Sequence, residues 1–231
     1  MQAIRTITID LDDTLWEIHP VIERAERKLY EWLGEEYPRV TDMFSQDEMI
    51  KLRESIVAEY RSKSHDFTFL RRAALGRLGA AAGYGVEIVD RAMAYFNPLR
   101  NDVEVFPEVR PALTTLGEHY CLIAVTNGNA SLDQIGIKDL FDHVISASGV
   151  GVAKPDREIF DVAVDAGGAG AHETLHVGDH PEVDVVGAQN AGLKSVWVNR
   201  HENAWPDHLQ DPDAIVRDVG ELLSLLGVKQ K

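Results

Sequence analysis

The chain has 231 residues, 45% hydrophobic and 26% charged, enough to bury the core of one large domain or of a domain carrying an insertion. Its 38 acidic and 23 basic residues leave a net charge of -15, which repels nucleic-acid phosphate and anionic lipid and removes both from the expected partners. The single cysteine, Cys121, lies in an apolar run and allows neither an internal disulfide nor a cysteine metal site. The residues after Met1 lack the apolar stretch of a signal peptide, and no apolar run is long enough to span a bilayer, so a soluble cytoplasmic protein is expected, with a monomer as the expected state.

In chain order, a β-rich run at 4–9 stops at Asp10. The segment 16–101 is helix-biased, with Ile22, Ala25, Leu29 and Leu33 at helical spacing and a small-residue stretch at 79–85 that marks a helix end and turn. A helix is expected at 108–118, then a strand at 121–125 that stops at Thr126-Asn127-Gly128, then a helix at 131–140. A helix is expected at 156–166, and Pro155 suits the first position of a helix, which puts Lys154 at its entrance. A strand at 174–177 stops at Gly178-Asp179, a helix follows at 183–191, and a last strand spans 195–198. Strands alternating with helices make a parallel α/β sheet, Rossmann-like, whose ligand crevice lies outside the carboxyl ends of the strands. The domains expected are a core of 1–15 and 102–231 and an inserted α-helical cap of 16–101.

Four clusters carry chemistry. Asp10 and Asp12 stand two residues apart at a strand end, where both carboxylates can face one crevice, one to attack and one to move protons, and together they suit a hard cation. Thr126 and the backbone N–H of Asn127 form a cradle for phosphate oxygens. Lys154 neutralises a phosphate or an aspartate nucleophile. Asp179 and Asp184 add oxygen ligands beyond a third strand. Each has a plain alternative when taken singly: an acidic turn, an Asn-Gly turn, a solvated lysine, and for Asp184 stabilisation of a helix N-terminus.

Together and in this order, Asp10-Leu11-Asp12-Asp13-Thr14-Leu15, Thr126, Lys154 and Asp179 with Asp184 resemble all four signature motifs of the haloacid-dehalogenase-like superfamily. The resemblance covers the whole chain, because the helical insertion falls where that superfamily inserts its cap. It implies a Mg²⁺-dependent phosphatase acting on a small phosphomonoester. Asp10 would be the nucleophile that forms an aspartyl-phosphate, and Asp12 the acid and then the base. Asp10, Asp179 and the Asp12 carbonyl would hold Mg²⁺, with Asp184 orienting a metal-bound water or Lys154. Thr126, Asn127 and Lys154 would bind the phosphoryl group. The chain is also similar to a bacterial phosphatase group, one member of which acts on a ribitylamino-uracil phosphate. The stretches concerned are His19-Pro20-Val21-Ile22, Thr126-Asn127-Gly128-Asn129-Ala130 and Leu175-His176-Val177-Gly178-Asp179.

His180 departs from the superfamily's usual small or acidic residue and reads as a solvated turn residue; Trp16 reads as a packed hinge or an entrance residue, and Arg71 and Arg72 as exposed charges or anion contacts. Three rivals share the fold. A 2-haloacid dehalogenase needs neither metal nor a second aspartate, and the presence of Asp12 and Asp179 argues against it. A phosphomutase differs only in the lifetime of its phospho-enzyme. A non-catalytic binding protein would be expected to have lost reactive residues that are all present.

Overall fold

A computed structural model describes residues 4–229; the ends of the two expected core segments, 1–3 and 230–231, lie outside the described residues. Two compact units make up the chain. One runs to Glu17 and resumes over Glu104–Gly128 and from Gly136 onward; the other is Ile18–Val103 with Asn129–Ile135. The boundaries expected after 15 and after 101 fall just before these, and the inclusion of 129–135 in the helical unit has no counterpart in the sequence reading.

The first unit is built on six parallel strands: β1 (Thr6–Ile9), β2 (Cys121–Thr126), β3 (His143–Ser146), β4 (Thr174–Gly178), β5 (Lys194–Val198) and β6 (Ala214–Val216), in the order β3-β2-β1-β4-β5-β6. The two central strands are buried along their whole length, as parallel strands covered on both faces must be. That is why Ile7, Ile9, Leu175 and Val177 fill them together with the β-formers Thr6, Thr8 and Thr174. β1 sits between β2 and β4 in register, with Ile9 opposite both Ala124 and Val177. The chain ends of these three neighbours therefore emerge side by side, and they carry Asp10, Thr126 and Asp179.

The helices of the second unit are α1 (His19–Glu36), α2 (Pro38–Met43), α3 (Gln46–Glu59), α4 (Phe67–Ala81) and α5 (Glu87–Arg100). Along α1 the buried stripe is Val21, Ala25, Leu29 and Leu33, an i, i+4 series. Val21 takes the place expected for Ile22, which is half-buried. Ser45 and Glu48 close a capping box at the start of α3. Gly79 lets α4 approach α5, because a Cβ there would lie 2.5 Å from Ile88 Cγ2. The core of this unit gathers Leu29, Leu33, Tyr37, Leu75, Leu78, Ile88, Met93 and Phe96.

The sheet unit adds α6 (Val109–Gly117), α8 (Ala147–Val150), α9 (Arg157–Gly167), α10 (Gly187–Asn190) and α11 (Glu221–Leu225), and α7 (Leu132–Ile135) belongs to the helical unit. Phe160 of α9 is fully buried against Ile123, Val125 and Ala188; its truncation to Ala would cost about 3–5 kcal/mol. Three expected helix bounds are corrected. The stretch 131–140 breaks after α7 at Gly136, whose φ of 82° a helix cannot hold. α9 starts at Arg157 rather than at Pro155 or Asp156, because the Asp156 carboxylate caps it by accepting from Glu158 N–H at 3.0 Å. The stretch expected from 183 starts at Pro181, in a wide π-type turn over Pro181–Val186, where His180 Nδ1 accepts from the N–H groups of Glu182 and Val183.

Candidate active site

Asp10 follows β1 directly and its N–H donates to the Val177 carbonyl at 2.9 Å, which extends the β1–β4 ladder and buries the residue to 7% exposure. A tight turn follows. Leu11 carbonyl accepts from Thr14 and Leu15, and Asp13 adopts φ 65°, a left-handed conformation that Asp tolerates better than most side chains. The turn folds Thr14 back so that its hydroxyl lies 3.3 Å from Asp10 Oδ2 and 3.1 Å from Asp179 Oδ1, tying the ends of β1 and β4 together. It also brings Trp16, fully buried, into position to donate its indole N–H to Asp12 Oδ1 at 2.9 Å.

Lys154 crosses to the same place from the loop before α9. Its side chain is 1% exposed, and Nζ donates to Asp10 Oδ1 at 2.5 Å and to Asp184 Oδ1 at 2.7 Å. Asn127 fixes the lysine backbone from both sides, donating from Nδ2 to the Lys154 carbonyl at 2.9 Å and accepting from the Lys154 N–H at 2.7 Å. Thr126 Oγ accepts from Gly128 N–H at 2.8 Å, which leaves its own proton to donate. Asp184 Oδ2 accepts from the His180 N–H at 2.9 Å, and the Trp197 indole donates to the Asp179 carbonyl at 2.7 Å.

Asp10, Asp179 and Asp184 each offer a carboxylate oxygen, all within 4.8 Å of one another. Three acids against one lysine leave a negative excess in a buried place. Burial, and then the neighbouring Asp184 and Asp13, push Asp179 up to about 7. Burial also lifts Asp10 well above the usual carboxylate range, with Asp184 and Asp179 adding to it and Lys154 opposing. Burial works against charge on Asp184 and on Lys154 as well, but their mutual attraction wins: Asp184 is held far below the usual range and Lys154 far above. Lys154 serves Asp10 and Asp184 alike, and with Asp179 the acids outnumber it. Their hard oxygen donors fit a hard dication.

The structure thus brings together Asp10, Lys154, Asp179 and Asp184. It places Thr126 at the neighbouring strand end and gives the Asn127 side chain to the lysine backbone, so that only the Asn127 N–H is left for a ligand. The Asp12 carboxylate is turned to Trp16 and is not part of the acidic triad. Arg71 and Arg72, paired in the sequence reading, separate: Arg71 is 13% exposed, bonded to Glu26 at 2.8 Å with its guanidinium over the Phe96 ring, while Arg72 is exposed and pairs with Asp90. Asn129 belongs to the helical unit, where it joins Arg100 and Thr68. His180 is exposed, as expected for a turn residue, and caps the following helical turn. Sequence reasoning assigned nothing to Thr14 or His176. Thr14 carries a signal only as part of the first motif, and His176 reads as strand filler.

A parallel α/β core with a carboxylate–lysine site at its carboxyl edge is the architecture of a class of hydrolases that spans several leaving groups. The model of one family, haloacid dehalogenase-like hydrolase, matches residues 4–192, and the chain belongs to that family. It is 31% identical to the 5-amino-6-(5-phospho-D-ribitylamino)uracil phosphatase YigB of Escherichia coli, over 96% of each chain. It is also 31% identical to a glyceraldehyde 3-phosphate phosphatase of Methanopyrus kandleri, over 96% of this chain and 97% of that one. Among solved structures, a 2-haloacid dehalogenase from Pseudomonas syringae pv. Tomato superposes with a TM-score of 0.91 at 35% identity, covering 97% of this chain and 98% of that one.

Proposed function

We propose that this hydrolase is a Mg²⁺-dependent phosphatase for small phosphomonoesters. The observation that carries the reading is the acid excess: buried Asp10 and Asp184 and half-buried Asp179 lie within 4.8 Å of one another, the pKa values of Asp10 and Asp179 are raised, and Lys154 is shared between Asp10 and Asp184. A second cation relieves that strain, and Asp10, Asp179 and the Asp12 carbonyl are the groups that would hold it. Bound there, Mg²⁺ supplies positive charge to the phosphoryl oxygens.

The chain's own residues do the rest. An Asp10 carboxylate oxygen attacks phosphorus in line, the bond to the leaving oxygen breaks, and an aspartyl-phosphate forms. Asp12, steadied by the Trp16 indole, gives a proton to the departing alkoxide and then takes one from the water that hydrolyses the intermediate. The Thr126 hydroxyl and the Asn127 N–H donate to phosphoryl oxygens, and Lys154 lowers the repulsion between Asp10 and the incoming anion. This local positive charge lets a protein of net charge -15 accept an anionic substrate. The phosphatase relatives support a small metabolite as substrate, with the ribitylamino-uracil phosphate as the first candidate. The proposal includes a cytoplasmic setting, in keeping with the free thiol of Cys121.

The 35%-identical dehalogenase favours a second reading, displacement of halide by Asp10. That chemistry uses neither a cation site nor an alcohol-protonating Asp12. One experiment separates the two: purified protein is given p-nitrophenyl phosphate with Mg²⁺ or with EDTA, and in parallel 2-chloropropionate. Phosphate release that EDTA abolishes is the expected result. Halide release without metal, with no phosphate release, would establish the second reading instead.

A further inference from the structure

His176 is fully buried in β4, and its cross-strand partner in the β1–β4 register is Thr8. Its Nδ1 lies 2.8 Å from Thr8 Oγ, and its Nε2 lies 3.3 Å from Asp184 Oδ1. The Thr8 hydroxyl has one proton and two acceptors in reach, His176 Nδ1 at 2.8 Å and the Leu175 carbonyl at 3.4 Å. The shorter contact takes it, so Nδ1 is the acceptor and the ring carries its proton on Nε2, aimed at the carboxylate. Phe160 meets the ring edge to face at 5.1 Å and prevents it from turning.

The same oxygen, Asp184 Oδ1, receives Lys154 Nζ at 2.7 Å, and that ammonium also reaches Asp10. Gly178 completes the seat: a Cβ there would lie 2.4 Å from Asp184 Cγ, so the carboxylate packs against bare backbone. A chain of directed hydrogen bonds thus runs Thr8, His176, Asp184, Lys154, Asp10, and each member has its orientation set by the one before it. We infer that His176 is a positioning residue, which holds the Asp184 carboxylate in the orientation that aims Lys154 at Asp10. It touches neither the substrate nor the reacting atoms. In its absence one donor is lost from Asp184 Oδ1, the His180 N–H and Lys154 are left to hold the carboxylate, and the aim of Lys154 at Asp10 loosens. This inference rests on the phosphatase reading only for its kinetic consequence.

The test has two arms. The first is kinetic. His176→Leu removes the donor and is expected to lower kcat roughly 10- to 100-fold, the usual cost of losing an orienting partner, with KM changing much less. His176→Gln keeps an N–H near the Nε2 position and should recover most of the rate. In a Lys154→Ala background the His176→Leu change should add little, because it acts through the lysine. If the Leu variant does not fold, Thr8→Val, which keeps the shape and removes the Nδ1 partner, takes its place and is expected to lower kcat severalfold. The second arm needs no turnover. Imidazole ¹⁵N spectra of the wild-type protein should show His176 protonated at Nε2 and bare at Nδ1, with the Nε2 signal moved by Asp184→Asn. Equal losses in the Gln and Leu variants, a normal kcat in the Leu variant, or a ring protonated at Nδ1 would each overturn the inference. A wild-type protein without phosphatase activity but with the expected spectrum would overturn the phosphatase reading and leave the positioning of Asp184 standing.

Discussion

Each of the two units holds an ionic cluster, largely buried in the sheet unit and half-buried in the helical unit, and the two are opposite in balance. In the sheet unit, one lysine serves Asp10 and Asp184 with Asp179 close by. In the helical unit, Arg53 and Arg71 both bond to Oε1 of Glu26. Burial opposes the charge on Glu26, yet Arg71 and Arg53 outweigh it and hold its carboxyl below the usual range. Glu26 thus has more positive charge than it needs, and its cluster is complete as built. Asp10 and Asp179 have less than they need, and under the proposed function a cation completes theirs. A buried ion pair alone says little about function, since such pairs are as common in structural roles. The unbalanced acids, placed where three strand ends meet, are what separate a site from a brace.

The comparison breaks most severely at Asp10. Asp10→Asn should lower kcat by roughly 10⁴-fold or more, the scale of losing a nucleophile, in a steady-state phosphatase assay; a variant within tenfold of wild type would contradict the role. Next comes Lys154→Ala, which removes the lysine shared by Asp10 and Asp184. Its kcat/KM should fall by roughly 10²- to 10³-fold, as for one preorganised electrostatic group. Normal kinetics would return Lys154 to the status of a structural charge.

Glu26→Gln probes the other cluster. Loss of a charged acceptor for two arginines should cost roughly 1.5–3 kcal/mol in chemical denaturation and leave kcat on p-nitrophenyl phosphate unchanged. A fall in kcat without a fall in stability would mean that the helical-unit cluster takes part in turnover.

The smallest effect concerns pH. With its pKa raised from 3.8 to about 7, folded Asp179 keeps a proton that the unfolded chain has already released. Its contribution to metal-free stability is therefore intact below the unfolded value and is lost as pH rises toward about 7. If Mg²⁺ replaces that proton as proposed, the rise in Tm on adding Mg²⁺ should be slight at about pH 5 and reach a few degrees at about pH 8. A Tm increment that does not vary with pH would show that Asp179 is not where the cation binds.

The carboxyl-end residues were legible because each follows an apolar strand run, and polar residues at such ends have one direction in which to project. The sequence reading omitted the edge strands β3 and β6. β3 has two exposed residues at its start and β6 is three residues long with one exposed, so neither makes an apolar run that stands out from a loop. Thr14 and His176 were missed for a different reason. Thr14 meets Asp179 165 positions away and His176 meets Thr8 168 positions away, and nothing local distinguishes a hydroxyl that bridges two carboxylates from one that fills a turn. Asp184 was read in part as helix-dipole stabilisation; its ion pair with Lys154, 30 positions distant, is a product of the sheet order.

In the proposed mechanism Asp10 accepts the phosphoryl group and Asp12 is needed to release it. Its most direct test is to incubate the Asp12→Asn variant with p-nitrophenyl phosphate, whose leaving group needs no protonation, and Mg²⁺, quench in acid, and map the phosphate by peptide mass spectrometry. The expected result is an acid-stable phosphate adduct on the peptide that contains Asp10, absent when Asp10 is also changed to Asn. Phosphate found on another residue, or a variant that turns over at the wild-type rate with no adduct, would contradict it.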